Sequence, residues 1–200
     1  MSEHSEEAGR LAAGYRATRT AVEAYLGSHH VMTICTYGPI FPDSAPVPHA
    51  ATVFYAMRRN EVEDEFGRRV IMELIFAGKA DSRHGRHVAA GTEGVPVAAT
   101  VSEHYDNWRD IRGVQVWGRA FRLRGVARGA ALAVYTLRFP FVTQLMKESW
   151  TRRLPADIGL FSLRVERVAY TDNAIGAFGR QEATYSVAAH ECGLCGDGVK

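Results

Sequence analysis

The spacing of apolar and polar positions changes several times along this chain of 200 residues. Leu11, Tyr15, Thr18, Val22, Tyr25 and Leu26 recur at helical spacing, which predicts an amphipathic helix ending near Gly27. From Val31 to Tyr37 the residues are apolar or β-branched, and a strand is expected. Four of the seven prolines lie between Pro39 and Pro48, which argues for a loop rather than a sheet strand. His49 to Met57 and Val70 to Ala77 read as strands on either side of a charged hairpin tip, Arg58 to Arg69. A short helix is expected from Ser82 to Ala90, then strands at Val95 to Ser102 and Gly113 to Leu123. Val126 to Leu137 and Phe141 to Trp150 read as two helices divided by Pro140. Strand alternation returns between Ile158 and Tyr170, and the residues after Tyr185 read as a glycine-rich, mobile tail. Many strands and few long helices predict a mainly β (α+β) fold, a closed or nearly closed antiparallel barrel with flanking helices.

Composition narrows the function classes. Hydrophobic residues make up 46% of the chain, enough for a single core. A net charge of +2, with arginines scattered rather than clustered, speaks against nucleic acid. No stretch of 18 apolar residues is present, so no membrane span is expected. The polar, acidic start Met-Ser-Glu-His-Ser-Glu-Glu argues against a secretory signal. Three cysteines are too few for a disulfide framework in a chain this size, and a cytoplasmic location is expected.

The most informative segment runs from Leu74 to Ala90. An apolar strand ends at Ala77, Gly78 breaks it, and Asp81 or Ser82 can cap a helix. That helix carries Arg83, His84, Arg86 and His87 in its first turns. Helix starts favour acids, because their free N–H groups form a positive pole. Cations there are unfavourable unless an anion is present, so the segment reads either as a phosphate seat or as a solvated basic turn. Two further β-prone blocks follow, Pro96-Val-Ala-Ala-Thr-Val-Ser102 and Gly113-Val-Gln-Val-Trp-Gly118. Upstream lies Pro48-His-Ala-Ala-Thr-Val-Phe-Tyr-Ala56.

In that order these blocks resemble the pyridoxamine 5′-phosphate oxidase-like, FMN-binding split-barrel proteins, over roughly residues 20 to 180. The resemblance implies a split β-barrel of antiparallel Greek-key type. It divides the chain into an N-terminal helix over 1–27, an FMN-binding barrel over 28–185 and a tail over 186–200. It also implies a homodimer with the flavin in a cleft built by both protomers. The family holds the FMN phosphate with Ser-Arg-Lys; this chain has Ser82 and Arg83, but His84 in place of the lysine. An arginine fork suits phosphate, whereas a histidine's charge depends on pH. Ala51, Thr52, Val53 and Phe54 match the strand that lies along the flavin ring through its backbone, and Ala77 and Gly78 form the turn leading to the phosphate. Gln115, on one face with Gly113 and Trp117, has an amide able to donate to and accept from the flavin's pyrimidine edge.

The reading is therefore an FMN-dependent oxidoreductase acting on a small-molecule substrate or electron donor. The C-terminal Arg-x-His that grips pyridoxal phosphate in the true oxidases has no match, so vitamin B6 oxidation is not expected. Haem and a deazaflavin are the alternative cofactors, and a non-catalytic flavin module is the alternative role. No catalytic side chain and no metal site is assigned. His29 and His30 close a helix, where histidine complements the dipole. His49 lines the pocket or simply begins a strand. Ser102-Glu103-His104 is no triad, because neighbouring strand residues point to opposite faces. Cys35 reads as a packed core residue. The single Cys192-x-x-Cys195 pair beside His190 falls short of a zinc set.

Overall fold

The period-two runs assemble into one continuous sheet. The computed structural model describes residues 3–41, 43–64, 67–148, 154–155, 157–175 and 179–185. Among them the order is α1 (Glu3–Ser28), β1 (Val31–Pro39), β2 (Pro46–Asp64), β3 (Gly67–Lys79), α2 (Arg83–Ala89) and β4 (Val95–Ser102). There follow β5 (Arg112–Arg122), α3 (Gly125–Arg138), α4 (Pro140–Glu148), β6 (Ile158–Asp172) and β7 (Arg180–Thr184). The seven strands lie in the order β3-β2-β1-β4-β5-β6-β7, all neighbours antiparallel. β4 returns beside β1 after the β1-β2-β3 meander, which is a Greek key. A further ladder between β3 and β6, Glu73–Lys79 against Arg164–Ile158, closes six strands into a barrel and leaves β7 outside it.

Two strands change partners along their length, and this sets the shape. β2 pairs with β1 as far as Phe54 and with β3 from Tyr55 onward. Its first half therefore has a ladder on one side only. That free edge explains a departure from the sequence reading. Pro46 and Pro48 lie in the β1–β2 ladder, opposite Pro39 and Tyr37, rather than in a loop. Proline lacks the N–H a central strand needs, and a one-sided strand tolerates it. The charged stretch is also not a hairpin tip, because the β2–β3 ladder continues to Asp64 and Gly67. Arg58 faces Glu73 across that ladder and donates to it from Nε at 2.8 Å and from Nη2 at 2.5 Å.

Met32, Ile34 and Thr36 point into the barrel; Cys35 and Tyr37 point out. Cys35 is exposed, not packed, because its parity puts it on the outer face. The interior is filled by Tyr55, Phe76, Phe161, Leu74, Leu163, Val116 and their neighbours. α1 covers one end of the barrel through Val22 and Leu26, and Tyr55 Oη donates to the Leu26 carbonyl at 2.7 Å. α3 and α4 build a second core outside the barrel, where Tyr135, Phe139 and Val142 meet Ala56, Ile75 and Leu160. A register shift between Trp117 and Gly118 bends β5 against β6. A Cβ at Gly118 would fall 2.0 Å from the Arg164 carbonyl oxygen, so only glycine permits this approach. β7 went unrecognised in the sequence. It is a five-residue edge strand, Arg-Gln-Glu-Ala-Thr, with only Ala183 buried. No described helix is long and apolar enough to cross a membrane. The tail with His190, Cys192 and Cys195 lies outside the described residues.

Candidate functional site

At the barrel end covered by α2, three histidine rings meet. Ser82 caps the helix, its Oγ accepting from Gly85 N at 3.2 Å while donating to the Lys79 carbonyl at 2.6 Å. Since the hydroxyl proton is committed to Lys79, the 3.2 Å contact between Ser82 Oγ and His84 Nε2 makes that ring nitrogen the donor. His87 is locked from both sides. Its Nε2 donates to the Pro39 carbonyl at 3.0 Å, and its Nδ1 lies 2.9 Å from Thr36 Oγ1. Thr36 and His49 are ladder partners on β1 and β2, so their side chains share the inner face. The His49 ring is near-parallel to His84, with centroids 6.2 Å apart, and edge-on to His87 at 6.3 Å.

Two glycines make room for these rings. A Cβ at Gly78 would fall 2.6 Å from His84 Nε2, and one at Gly38 would fall 2.5 Å from the His87 ring. His84 and His87 are buried, and Phe76 and Phe161 pack near His84. Burial pushes the His84 pKa down, and His49 and His87 add to that. The His49 pKa is also lowered, by desolvation first and then by Arg83 and His87. Arg83 is half-buried, and no hydrogen bond or ion pair of its guanidinium is formed among the described residues. No carboxylate figures among the charges acting on either histidine. This is an electrostatically unpaired cluster of one cation and two suppressed bases.

The structure brings Ser82, Arg83, His84, Ala77 and Gly78 to this end of the barrel, with the β2 segment Ala51–Phe54 running away from it. Ala51 and Val53 face the interior, and Thr52 and Phe54 face outward. Gln115 is elsewhere. It is exposed on the outer face of β5, where its Oε1 accepts from Arg180 Nη1 at 2.8 Å. One row across that face runs Gln115, Thr100, Thr33, Thr52. Three strand spacings put Gln115 about 14 Å from Thr52 within one protomer. Arg86 turns away to the carbonyls of Asp81 and Ile40. Sequence reading left His49 undecided and missed its contact with His87. Its shared parity with Ala51 and Val53 was the available signal.

A cleft of about 650 Å³ opens at the opposite end of the barrel, lined by Tyr25, His29, Glu103, Tyr105, Arg112 and Tyr170 among others. Its polar groups satisfy one another. His29 pairs with Glu103 at 2.9 Å and also contacts the Tyr25 carbonyl at 2.6 Å, while Arg112 pairs with Asp172 at 3.2 Å. The unpaired charge lies at the histidine end, and that end is the candidate site. Among the described residues no group of three or more His, Cys, Asp or Glu is arranged to hold a metal.

No family model matches the chain. The UPF0306 protein YhbP of Salmonella typhi is 29% identical over 166 residues, covering 82% of this chain and 90% of its own length. Among solved structures, the heme binding protein from Mycobacterium smegmatis superimposes with a TM-score of 0.53 at 18% identity, over 80% of this chain. This chain spans only 55% of that protein's length. A protein related to general stress protein 26, of the pyridoxinephosphate oxidase family, from Clostridium acetobutylicum, gives a TM-score of 0.50 at 9% identity. That match covers 82% of this chain and 92% of the other. Together with the ladder order and the β3–β6 closure, these likenesses establish the fold: a mainly β, antiparallel split barrel with flanking helices.

Proposed function

We propose that the protein binds FMN and works as a flavin-dependent oxidoreductase on a small molecule, as a homodimer. One observation carries this reading: Arg83, half-buried and without an internal partner, stands beside Ser82 and two histidines with no acid among them. Such a cluster fits a phosphate. The free edge of β2 next to it fits the rim of a flat heterocycle, since backbone groups there have no ladder partner on that side.

When bound, the flavin supplies hydride and electron transfer. The chain's own work is placement. Arg83 and His84 hold the phosphate, and Ser82 joins them by exchanging its hydrogen bond to the Lys79 carbonyl for one to the phosphate. Ala77 and Gly78 admit it, and the backbone of Ala51, Thr52, Val53 and Phe54 runs along the ring. Tyr135 Oη donates to the Phe54 carbonyl at 3.4 Å and helps hold that strand. Gln115 stands about 14 Å from Thr52 across the outer face within one protomer, so in this reading the second copy supplies it. In this reading the N-terminal helix (1–27) supports the barrel (28–185), and the tail (186–200) is dispensable.

A second reading, haem handling, has one observation in its favour. His49 is half-buried, and neither ring nitrogen has a hydrogen-bond partner among the described residues. The visible spectrum of the purified protein separates the two, as flavin bands or a Soret band. Arg83→Ala should weaken FMN binding roughly 10- to 100-fold, the loss of a hydrogen bond to a charged group, with the fold intact. Unchanged affinity in a folded variant, measured by quenching of flavin fluorescence, removes the assignment.

A further inference from the structure

In the free protein, desolvation, Arg83 and His87 oppose ionisation of His49, and desolvation, His49 and His87 oppose that of His84. α2 contributes Arg83 and His87, and β2 contributes His49 itself. From β1 comes only the hydroxyl of Thr36, and from β3 and β6 only the rings of Phe76 and Phe161. The side chains of Lys79 and Asp81 are exposed, and Arg86 is occupied with backbone carbonyls. Among the described residues, β5 also packs on α2, but its Arg119 is held by the Glu93 and Gly94 carbonyls and its Arg122 is exposed. Among the described residues no carboxylate acts on either ring to balance a second cation. A seven-residue helix is too short to hold an anion by its dipole, so the side chains must do it.

We infer that His49 and His84 are both anion ligands beside Arg83, and that the site takes up a proton together with a phosphate-type dianion. His84 gains its proton on Nδ1, because Nε2 is already the donor to Ser82. The dianion removes the opposition between the two rings and the guanidinium. By linkage, what the anion does for the proton, the proton does for the anion. The site then holds a phosphorylated ligand weakly above neutral pH and firmly below it, where a lysine in place of His84 would hold it throughout. This rests on the phosphate reading above and adds a regulation to it.

Sulfate is the probe, because it stays doubly charged across the whole range, whereas the flavin phosphate itself titrates near pH 6. Sulfate binding to the protein freed of cofactor is measured by calorimetry between pH 5.5 and 8, in pairs of buffers with different ionisation heats. The expected result is buffer-dependent heat reporting proton uptake, and affinity rising about tenfold per pH unit for each proton taken up. His49→Gln, at a half-buried position without hydrogen bonds, should flatten that slope. His84→Lys should bind sulfate more tightly than wild type at pH 8, with the His49 slope remaining. Affinity equal at pH 5.5 and 8, no proton uptake, or no sulfate binding at any pH overturns the inference, and these are wild-type measurements that no misfolded variant can obscure. A parallel FMN titration separates the two levels. Proton-coupled sulfate binding without FMN uptake keeps the inference and removes the flavin. FMN binding without proton-coupled sulfate binding keeps the flavin and removes the inference.

Discussion

His49 and His84 have folded-state pKa values below that of an unstructured histidine, near 6.5. Between that value and the lowered ones, the unfolded chain binds more protons than the folded one. Stability from these two residues is therefore intact above about pH 6.5 and is lost as pH falls through the folded values. Thermal melts in an anion-free buffer should show the melting temperature dropping from pH 7.5 to 5.5. His49→Gln should shrink the drop, because one unfavourable protonation is gone and the burden on His84 falls. A drop identical in wild type and variant would mean that His49 titrates as it does in water. The Ser82-Arg83-His84 run at a helix start was readable from the residues. That His84 has a second ring stacked on it was not, because His49 and His84 are 35 positions apart in the sequence.

At the scale of elements, α1 is docked by an apolar seam and several polar contacts, of which the one at its C-terminal end is fully buried. Tyr55, on the inner face of β2, donates to the Leu26 carbonyl in the last turn of the helix. The final carbonyls of a helix have no intrahelical partner, and burial makes an orphan costly. Tyr55→Phe keeps the ring and leaves that carbonyl unsatisfied. It should cost about 1–3 kcal/mol in urea unfolding. An unfolding midpoint unchanged from wild type would show that water replaces the hydroxyl. The helical stripe containing Val22 and Leu26 was visible in the spacing alone. The element that receives it was not, since nothing local in β2 marks Tyr55 as a helix partner.

For the whole molecule, the outer face of β1, β2, β4 and β5 is the feature of interest, covered by the chain's own helices at the margin where Phe54 packs against Phe139 and Phe141. Val31, Thr33, Cys35, Ala50, Thr52, Phe54, Ala98, Thr100 and Gln115 lie on it across β1, β2, β4 and β5. Its few large side chains include Phe54, 47% exposed, and Val31, 41% exposed. A face of small and apolar residues at the middle of a sheet suits a second copy. Light scattering should give twice the 22.1 kDa chain mass. Thr100→Glu, at an exposed position in the middle of that face, should shift the equilibrium to monomer and reduce FMN affinity with it, because in the proposed reading Gln115 then leaves the site. A monomer that binds FMN as well as the wild type would dissociate the flavin reading from the dimer.

Local patterning carried every described strand but β7, the helices, the mainly β class and a helix start capped at Asp81 or Ser82. Each depends on residues within a few positions of one another, where steric and capping preferences act directly. What the tertiary structure decided depends on pairing between distant segments. The switch of β2 from β1 to β3 frees the edge that admits Pro46 and Pro48 into a ladder. Strand parity turned Cys35 outward, and the register of Thr36 against His49 put a third ring beside α2. β7 exists because β6 offers it an edge, not because five mostly polar residues prefer to be extended. Gln115 has the chemistry expected of a ring ligand, yet sheet geometry sets it about 14 Å from its intended neighbours. Residue type determined what each group can do. Register and closure, which are energies of the whole sheet, determined which groups meet.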